Sequence, residues 1–251
     1  MQRAALLAQL NDWLQPDKVQ DYCPNGLQVQ GRDEIERIVT GVTASQALLD
    51  AAVDAKADAV IVHHGYFWKG EADAVVGMKY RRLRTLFAHD MNLIAYHLPL
   101  DIHPEFGNNH RLLELLNCVD IQSDERVAPA GILQLGNLPE AISGYDLADR
   151  IEYTLARTML ACELSETPIR RVAVCTGGGQ GFIEQAIAAG ADAFITGEVS
   201  EQTIHIAREC GIQFFAAGHH ATERYGVQAL GNRIAAQLNL DVQFIDIDNP
   251  A

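Results

Sequence analysis

The chain repeats itself. Residues 37–64 align without a gap with residues 171–198, and the identical pairs include Arg37/Arg171, Gln46/Gln180, Ala52/Ala186, Ala57/Ala191, Asp58/Asp192, Ala59/Ala193 and Ile61/Ile195. Each copy reads as an apolar strand (Ile38-Val39-Thr40-Gly41-Val42; Val172-Ala173-Val174-Cys175), a polar or glycine turn, an alanine-rich helical stretch and a second strand, which is the pattern of a βαβ unit. Such a unit needs a right-handed crossover and parallel strands. Two copies therefore predict an internally duplicated α/β protein, with two similar α/β lobes whose mostly parallel or mixed sheets are flanked by helices. All βαβ units share this outline, which leaves independent origin as the plain alternative. The gapless register and the shared Ala-Asp-Ala-x-Ile favour duplication.

The expected division is a first lobe over residues 1–130 and a second over 131–251, with 214–251 packing back on the first. No low-complexity linker separates them, so one rigid body is expected. Between the copies, Asn109 to Leu116 reads as a helix, the region of Ile132-Leu133-Gln134-Leu135 as a strand, and Tyr145 to Cys162 as a helix begun near Ser143-Gly144.

With 251 residues, 48% of them hydrophobic, the chain can bury a sizeable core. Its net charge of −14 argues against a broad basic surface for nucleic acid. The five cysteines are widely spaced with no CxxC, which indicates reduced thiols and a cytoplasmic protein rather than a disulfide framework or thiolate zinc site. The N-terminus has the apolar spacing of an amphipathic helix and lacks a signal-peptide core. No segment approaches the roughly 20 apolar residues that span a bilayer.

The chemistry gathers where strands end. The run Ala59-Val60-Ile61-Val62 stops at His63 and His64, just before a glycine. Neighbours on a strand point to opposite faces, so this pair suits two ions side by side better than one. Two later strand-like runs, Leu93 to Tyr96 and Gln213 to Ala216, end in His97 and Asp101 and in His219, His220 and Glu223. In open α/β sheets the ligand site lies beyond such carboxyl ends. His219 and Glu223, four residues apart, converge if a helix opens there, although this spacing also describes a solvated helix face.

Three imidazoles and two carboxylates (His63, His64, His219, Asp101, Glu223) exceed one closed tetrahedral site and suit two open ones. The expected centre therefore holds two divalent ions, with zinc, manganese, iron, cobalt and nickel all compatible. Two divalent ions and two carboxylates leave net positive charge, which favours hydroxide and an anionic, phosphate-bearing substrate. His97 and Glu198 lie at equivalent strand ends, where they serve either to orient ligands and move protons or in a purely structural role.

Two further motifs carry open readings. Thr176-Gly177-Gly178-Gly179-Gln180-Gly181 sits between strand and helix, as a phosphate cradle or a plain tight turn. Tyr66-Phe67-Trp68-Lys69-Gly70 is an aromatic wall for a base or sugar, or else packs in the core or on a subunit.

Taken together, Val62-His63-His64-Gly65 with Phe67 and Gly70, His97-Leu98-Pro99-Leu100-Asp101, Gly190 to Glu198 and Gly218-His219-His220-Ala221-Thr222-Glu223 resemble the YbgI-like dinuclear-metal family, the GTP cyclohydrolase I type 2 homologues. Asp21-x-x-Pro24-Asn25-Gly26-Leu27-Gln28 adds an N-terminal likeness, so the resemblance covers nearly the whole chain. It implies a duplicated α/β fold, a homohexameric ring of dimers, and two metals held by His63, His64, Asp101, His219 and Glu223. It also implies GTP cyclohydrolase chemistry, in which metal-bound hydroxide attacks C8 of guanine and formate leaves. The chain departs from the family at Gly65, where proline is usual, and at Leu98 and Pro99, where polar residues are frequent.

The leading expectation is a metal-dependent hydrolase of a nucleotide or related phosphate compound. Glu223 and Asp101 bridge or hold the ions, and His97 and Glu198 assist. A non-catalytic metal-binding ring that engages protein partners is the alternative. No separate organic cofactor, membrane or nucleic-acid partner is expected.

Overall fold

The computed structural model describes residues 1–251. In chain order the strands are β1 (Gly26–Val29), β2 (Arg37–Thr43), β3 (Ala59–His64), β4 (Asn92–Ala95), β5 (Val119–Ser123), β6 (Gln134–Ile142), β7 (Ala161–Glu163), β8 (Ile169–Cys175), β9 (Ala193–Thr196), β10 (Gln213–Ala216) and β11 (Asp241–Phe244). The helices are α1 (Arg3–Leu14), α2 (Gln46–Asp54), α3 (Gly77–Ala88), α4 (Leu98–Asp101), α5 (Asn108–Leu115), α6 (Gly144–Leu155), α7 (Ile183–Ala188), α8 (Glu201–Cys210), α9 (His219–Thr222) and α10 (Arg224–Leu238). None is long and apolar enough to cross a membrane.

The chain folds as two compact units, residues 1–100 with 227–248 and residues 101–226 with 249–251. The first has a five-stranded sheet in the order β1-β4-β3-β2-β11, and the second a six-stranded sheet in the order β5-β6-β8-β9-β10-β7. The expected boundary at 130/131 therefore moves. Residues from Asp101 onward already belong to the second unit, because β5 pairs antiparallel with β6. The C-terminal strand returns to the first unit, where β11 lies parallel to β2 from Asp241↔Arg37 to Phe244↔Thr40.

The repeat is visible in the register. In the first sheet Ile38 pairs with Ala59 and Val39 with Val60, in parallel. In the second Val172 pairs with Ala193 and Ala173 with Phe194, the same positions of the repeat. Each third strand carries an antiparallel edge strand, β1 on β4 and β7 on β10. The duplicated aspartate explains part of this fidelity. Asp58 Oδ2 accepts from the N–H groups of Glu36 and Arg37, both at 2.9 Å, and Asp192 Oδ2 accepts from those of Arg170 and Arg171 at 2.9 and 2.8 Å. Each carboxylate thus satisfies the backbone at the entry to the first repeat strand.

Burial follows the sequence pattern. Leu6, Leu10 and Leu14, four apart on α1, are all buried, as expected for one face of a helix. The core of the first unit gathers Val39, Leu48, Leu49, Val60, Val62 and Leu93. That of the second gathers Leu113, Leu147, Ile151, Val172, Ile195 and Phe215.

The helix expected over Tyr145 to Cys162 is shorter. It opens with a capping box on Ser143 and stops at Leu155, where Ala156 turns left-handed with φ 52°. Cys162 lies in β7, which closes the edge of the second sheet through Phe215↔Cys162. The pull of an unpaired sheet edge outweighs helix propensity there.

Candidate metal centre

In the first unit, β3 carries its apolar run to the sheet end and delivers His63, fully buried, and His64, partly buried. His63 Nδ1 lies 3.1 Å from the Tyr96 carbonyl oxygen. A carbonyl only accepts, so Nδ1 carries the hydrogen and Nε2 presents its lone pair. His64 Nδ1 lies 3.1 Å from Thr43 Oγ1, its register partner on β2.

His97 joins them from the end of β4. Its Nδ1 is 2.7 Å from Asp21 Oδ1, and its backbone N–H donates to Asn25 Oδ1 at 2.8 Å. Asp21 also accepts from the N–H groups of Tyr22 and Leu98 and from Asn25 Nδ2. Burial alone would raise its pKa, but the His97 hydrogen bond and charge, with the Asn25 and Tyr22 donors, lower it to about 2.

The three imidazoles sit together, with ring centroids 4.5 Å apart for His63 and His64, 5.0 Å for His63 and His97, and 5.7 Å for His64 and His97. One donor atom from each lies within 4.8 Å of the others, a spacing compatible with a metal ion. Strand alternation predicts that neighbours diverge. Here the two rings, on the last two residues of β3, lie with centroids 4.5 Å apart.

The turn that follows β3 needs glycine. A Cβ on Gly65 would lie 2.1 Å from Gln28 Oε1 and 2.7 Å from Ala95 Cβ, and the same Gln28 oxygen accepts from the Tyr66 N–H. Tyr66 itself is core, its hydroxyl donating to the Ala44 carbonyl at 2.7 Å. Trp68 stays partly exposed beside His97.

In the second unit, β10 ends at Ala216 and Gly218 (φ 99°) opens the short α9, with Glu223 at its C-cap. His219 Nε2 lies 3.2 Å from Glu223 Oε2 and its Nδ1 2.7 Å from Glu198 Oε1. Glu223 is 3% exposed, so this His-x3-Glu is no solvated face. Burial alone would lower the His219 pKa, but Glu223 first and Glu198 second raise it to about 9. A proton on Nε2 thus occupies the place a metal takes when ring and carboxylate serve as ligands.

Asp101, also buried, accepts on Oδ1 from Asn108 Nδ2 at 2.8 Å and from Thr176 Oγ1 at 3.4 Å. Asn108 is oriented in turn by the Gly226 N–H on its oxygen at 2.7 Å. Burial, with the charges of Asp101 and Glu223, pushes the Cys175 thiol well above its ordinary range.

The first glycine of the Thr176–Gly181 loop packs against this arrangement. The Gly177 N–H donates to Thr222 Oγ1 at 3.0 Å. With φ 63°, a Cβ there would lie 2.0 Å from Glu223 Oε1 and 3.0 Å from His219 Nε2. The backbone therefore makes a cradle against the donor pair that any side chain would fill.

Sequence reasoning missed the residues that hold the donors: Thr43, Asn108, Thr176 and Thr222. Asp21 and Asn25 lay within the N-terminal motif, but nothing local tied them to His97.

Imidazole nitrogens fixed from behind by oxygen acceptors, beside buried carboxylates, suit divalent metal ions in donor chemistry. On fold and donors this is a duplicated α/β protein that carries clusters of residues compatible with metal ions. The chain belongs to the Duf34/NIF3 (NGG1p interacting factor 3) family, whose sequence model matches residues 1–250. It is 56% identical over 248 residues to a Pseudomonas aeruginosa protein called GTP cyclohydrolase 1 type 2 homolog, covering 99% of this chain and 98% of the relative. An Escherichia coli protein of the same name is 54% identical over 252 residues, all of both chains. The solved structure of protein ybgI, described as of unknown function, superposes with a TM-score of 0.95 at 53% identity over the whole of both chains.

Proposed function

We propose that this chain is a metal-dependent hydrolase of a nucleotide or related phosphate compound, with two divalent ions held by His63, His64, Asp101, His219 and Glu223. The carrying observation is the way the imidazoles are held. His63 is fixed at Nδ1 by the Tyr96 carbonyl and His219 at Nδ1 by Glu198, which leaves each Nε2 as the coordinating atom. When bound, such ions supply Lewis acidity and a water nucleophile at neutral pH.

The chain's own residues do the rest. Asp101 and Glu223 offset the charge of the ions, and their burial keeps bulk water from screening it. His97, held by Asp21, presents Nε2 beside His63 and His64 to orient the substrate or carry a proton. Glu198 fixes the His219 ring. The names carried by the relatives support a cyclohydrolase-like reaction on a purine nucleotide as the specific form of this reading, and a homohexameric ring belongs to the same proposal.

The test is metal analysis of dialysed protein together with a nucleotide panel followed for formate and phosphate. Two metals per chain, with formate from GTP that vanishes in Glu223→Gln, support the cyclohydrolase form; phosphate alone points to a phosphoesterase. No turnover across the panel with metals present would overturn the hydrolase reading in favour of a non-catalytic ring.

A further inference from the structure

We infer that Tyr22 and Trp68 form an aromatic clamp that receives a planar heteroaromatic ring, the base of a mononucleotide, beside the His63–His64–His97 donors; this deepens the proposed function and rests on it. Both rings meet His97 edge to face, Trp68 at 4.9 Å and Tyr22 at 6.4 Å between centroids. Trp68 also lies 5.9 Å from His64. An edge-to-face contact engages one side of a ring at most.

The two side chains come from loops far apart in sequence that are stitched together, since the Lys69 N–H donates to the Tyr22 carbonyl at 2.7 Å. The indole is fixed by its Nε1–H on the Gly65 carbonyl at 3.2 Å, and the Trp68 N–H donates to Glu71 Oε2 at 3.1 Å. Lys79 ties Glu71 and the Ala72 carbonyl into the same loop. The Trp68 side of the clamp is thus preorganised, so little ordering entropy opposes binding there.

Neither ring is needed by the core. Tyr22 is 63% exposed and Trp68 half-buried, whereas the neighbouring Tyr66 fills the core role. Large aromatic surface exposed to solvent beside candidate ligands fits base stacking, which tolerates any base because every base has a π-face. A phosphate-bearing ring fits a centre whose bound cations attract anions.

The chain has two tryptophans, Trp13 and Trp68, so Trp13→Phe leaves Trp68 as the only indole reporter. In that background, metal-loaded and metal-stripped protein is titrated with GMP, AMP and ribose 5-phosphate. Quenching by both nucleotides but not by the sugar phosphate is expected. Trp68→Leu and Tyr22→Leu, followed by calorimetry, should each weaken GMP binding on the order of tenfold without changing metal content. Equal quenching by ribose 5-phosphate, or unchanged GMP affinity in both variants, overturns the clamp. Two metals retained with no ring bound also overturns it while leaving the metal reading intact. Ring binding in a chain that retains no metal keeps the clamp and removes the metal reading.

Discussion

Glu198 Oε1 and His219 Nδ1 lie 2.7 Å apart, while the opposite edge of the same imidazole faces Glu223. Two carboxylates on one ring favour its protonated form.

This sets a pH dependence for the metal-free protein. The His219 pKa is raised from 6.5 to about 9, so its stabilising effect is complete below about pH 6.5 and is lost as pH rises through about 9. EDTA-treated protein should lose stability over that window with a slope of up to about 1.4 kcal/mol per pH unit. In His219→Gln the slope should flatten. Thermal melts of the two proteins decide it, and identical slopes would refute the assignment.

Gly177→Ala should fold yet hold metal poorly. The new Cβ strikes Glu223, and a left-handed backbone costs a non-glycine residue about 1–2 kcal/mol. We expect metal affinity to fall about 10-fold or more, the scale seen when groups that position ligands are lost. Competition with a chromogenic chelator measures it; wild-type affinity would mean that Glu223 is no ligand.

Asp21→Asn tests the His97 mount. The carboxylate holds His97 and three N–H donors, so the change should cost about 1–3 kcal/mol. Because the Asp21 pKa is lowered to about 2, its contribution is present above about pH 4 and disappears as pH falls through about 2. Urea titrations at pH 7 and pH 3 should show the gap between wild type and variant narrowing in acid. A constant gap would contradict this.

Asp58→Ala and Asp192→Ala probe the duplicated strand anchor. Asp58 also takes an ion pair from Arg32 at 2.8 Å and is the more buried of the two. Its removal should cost about 1–3 kcal/mol and exceed the cost at Asp192. Denaturant midpoints read both, and the reverse order would sink the comparison.

What the sequence revealed was whatever chemistry writes into neighbouring residues. The run Ala59 to Val62 announces a buried strand, so the position of His63 and His64 at its end was legible. The repeat likewise marked β8 and β9. Asp21 and Asn25 were opaque as the supports of His97, because that contact joins residues more than seventy apart in sequence. The stop of α6 at Leu155 was hidden because Ala156, an excellent helix former, adopts φ 52° to let the chain turn back into β7. The close approach of Gly177 to Glu223 was hidden for a related reason, since the two lie far apart along the chain.

The two copies of the repeat end their second strands at matching addresses, His63 and His64 in one and Gly197 and Glu198 in the other. One scaffold therefore delivers imidazole donors where its twin delivers a carboxylate that braces a donor. The two copies differ in the side chains they carry at the same address. Where the register beneath is fixed, the strand terminus acts as a socket whose residents can be exchanged without rebuilding the sheet that carries it.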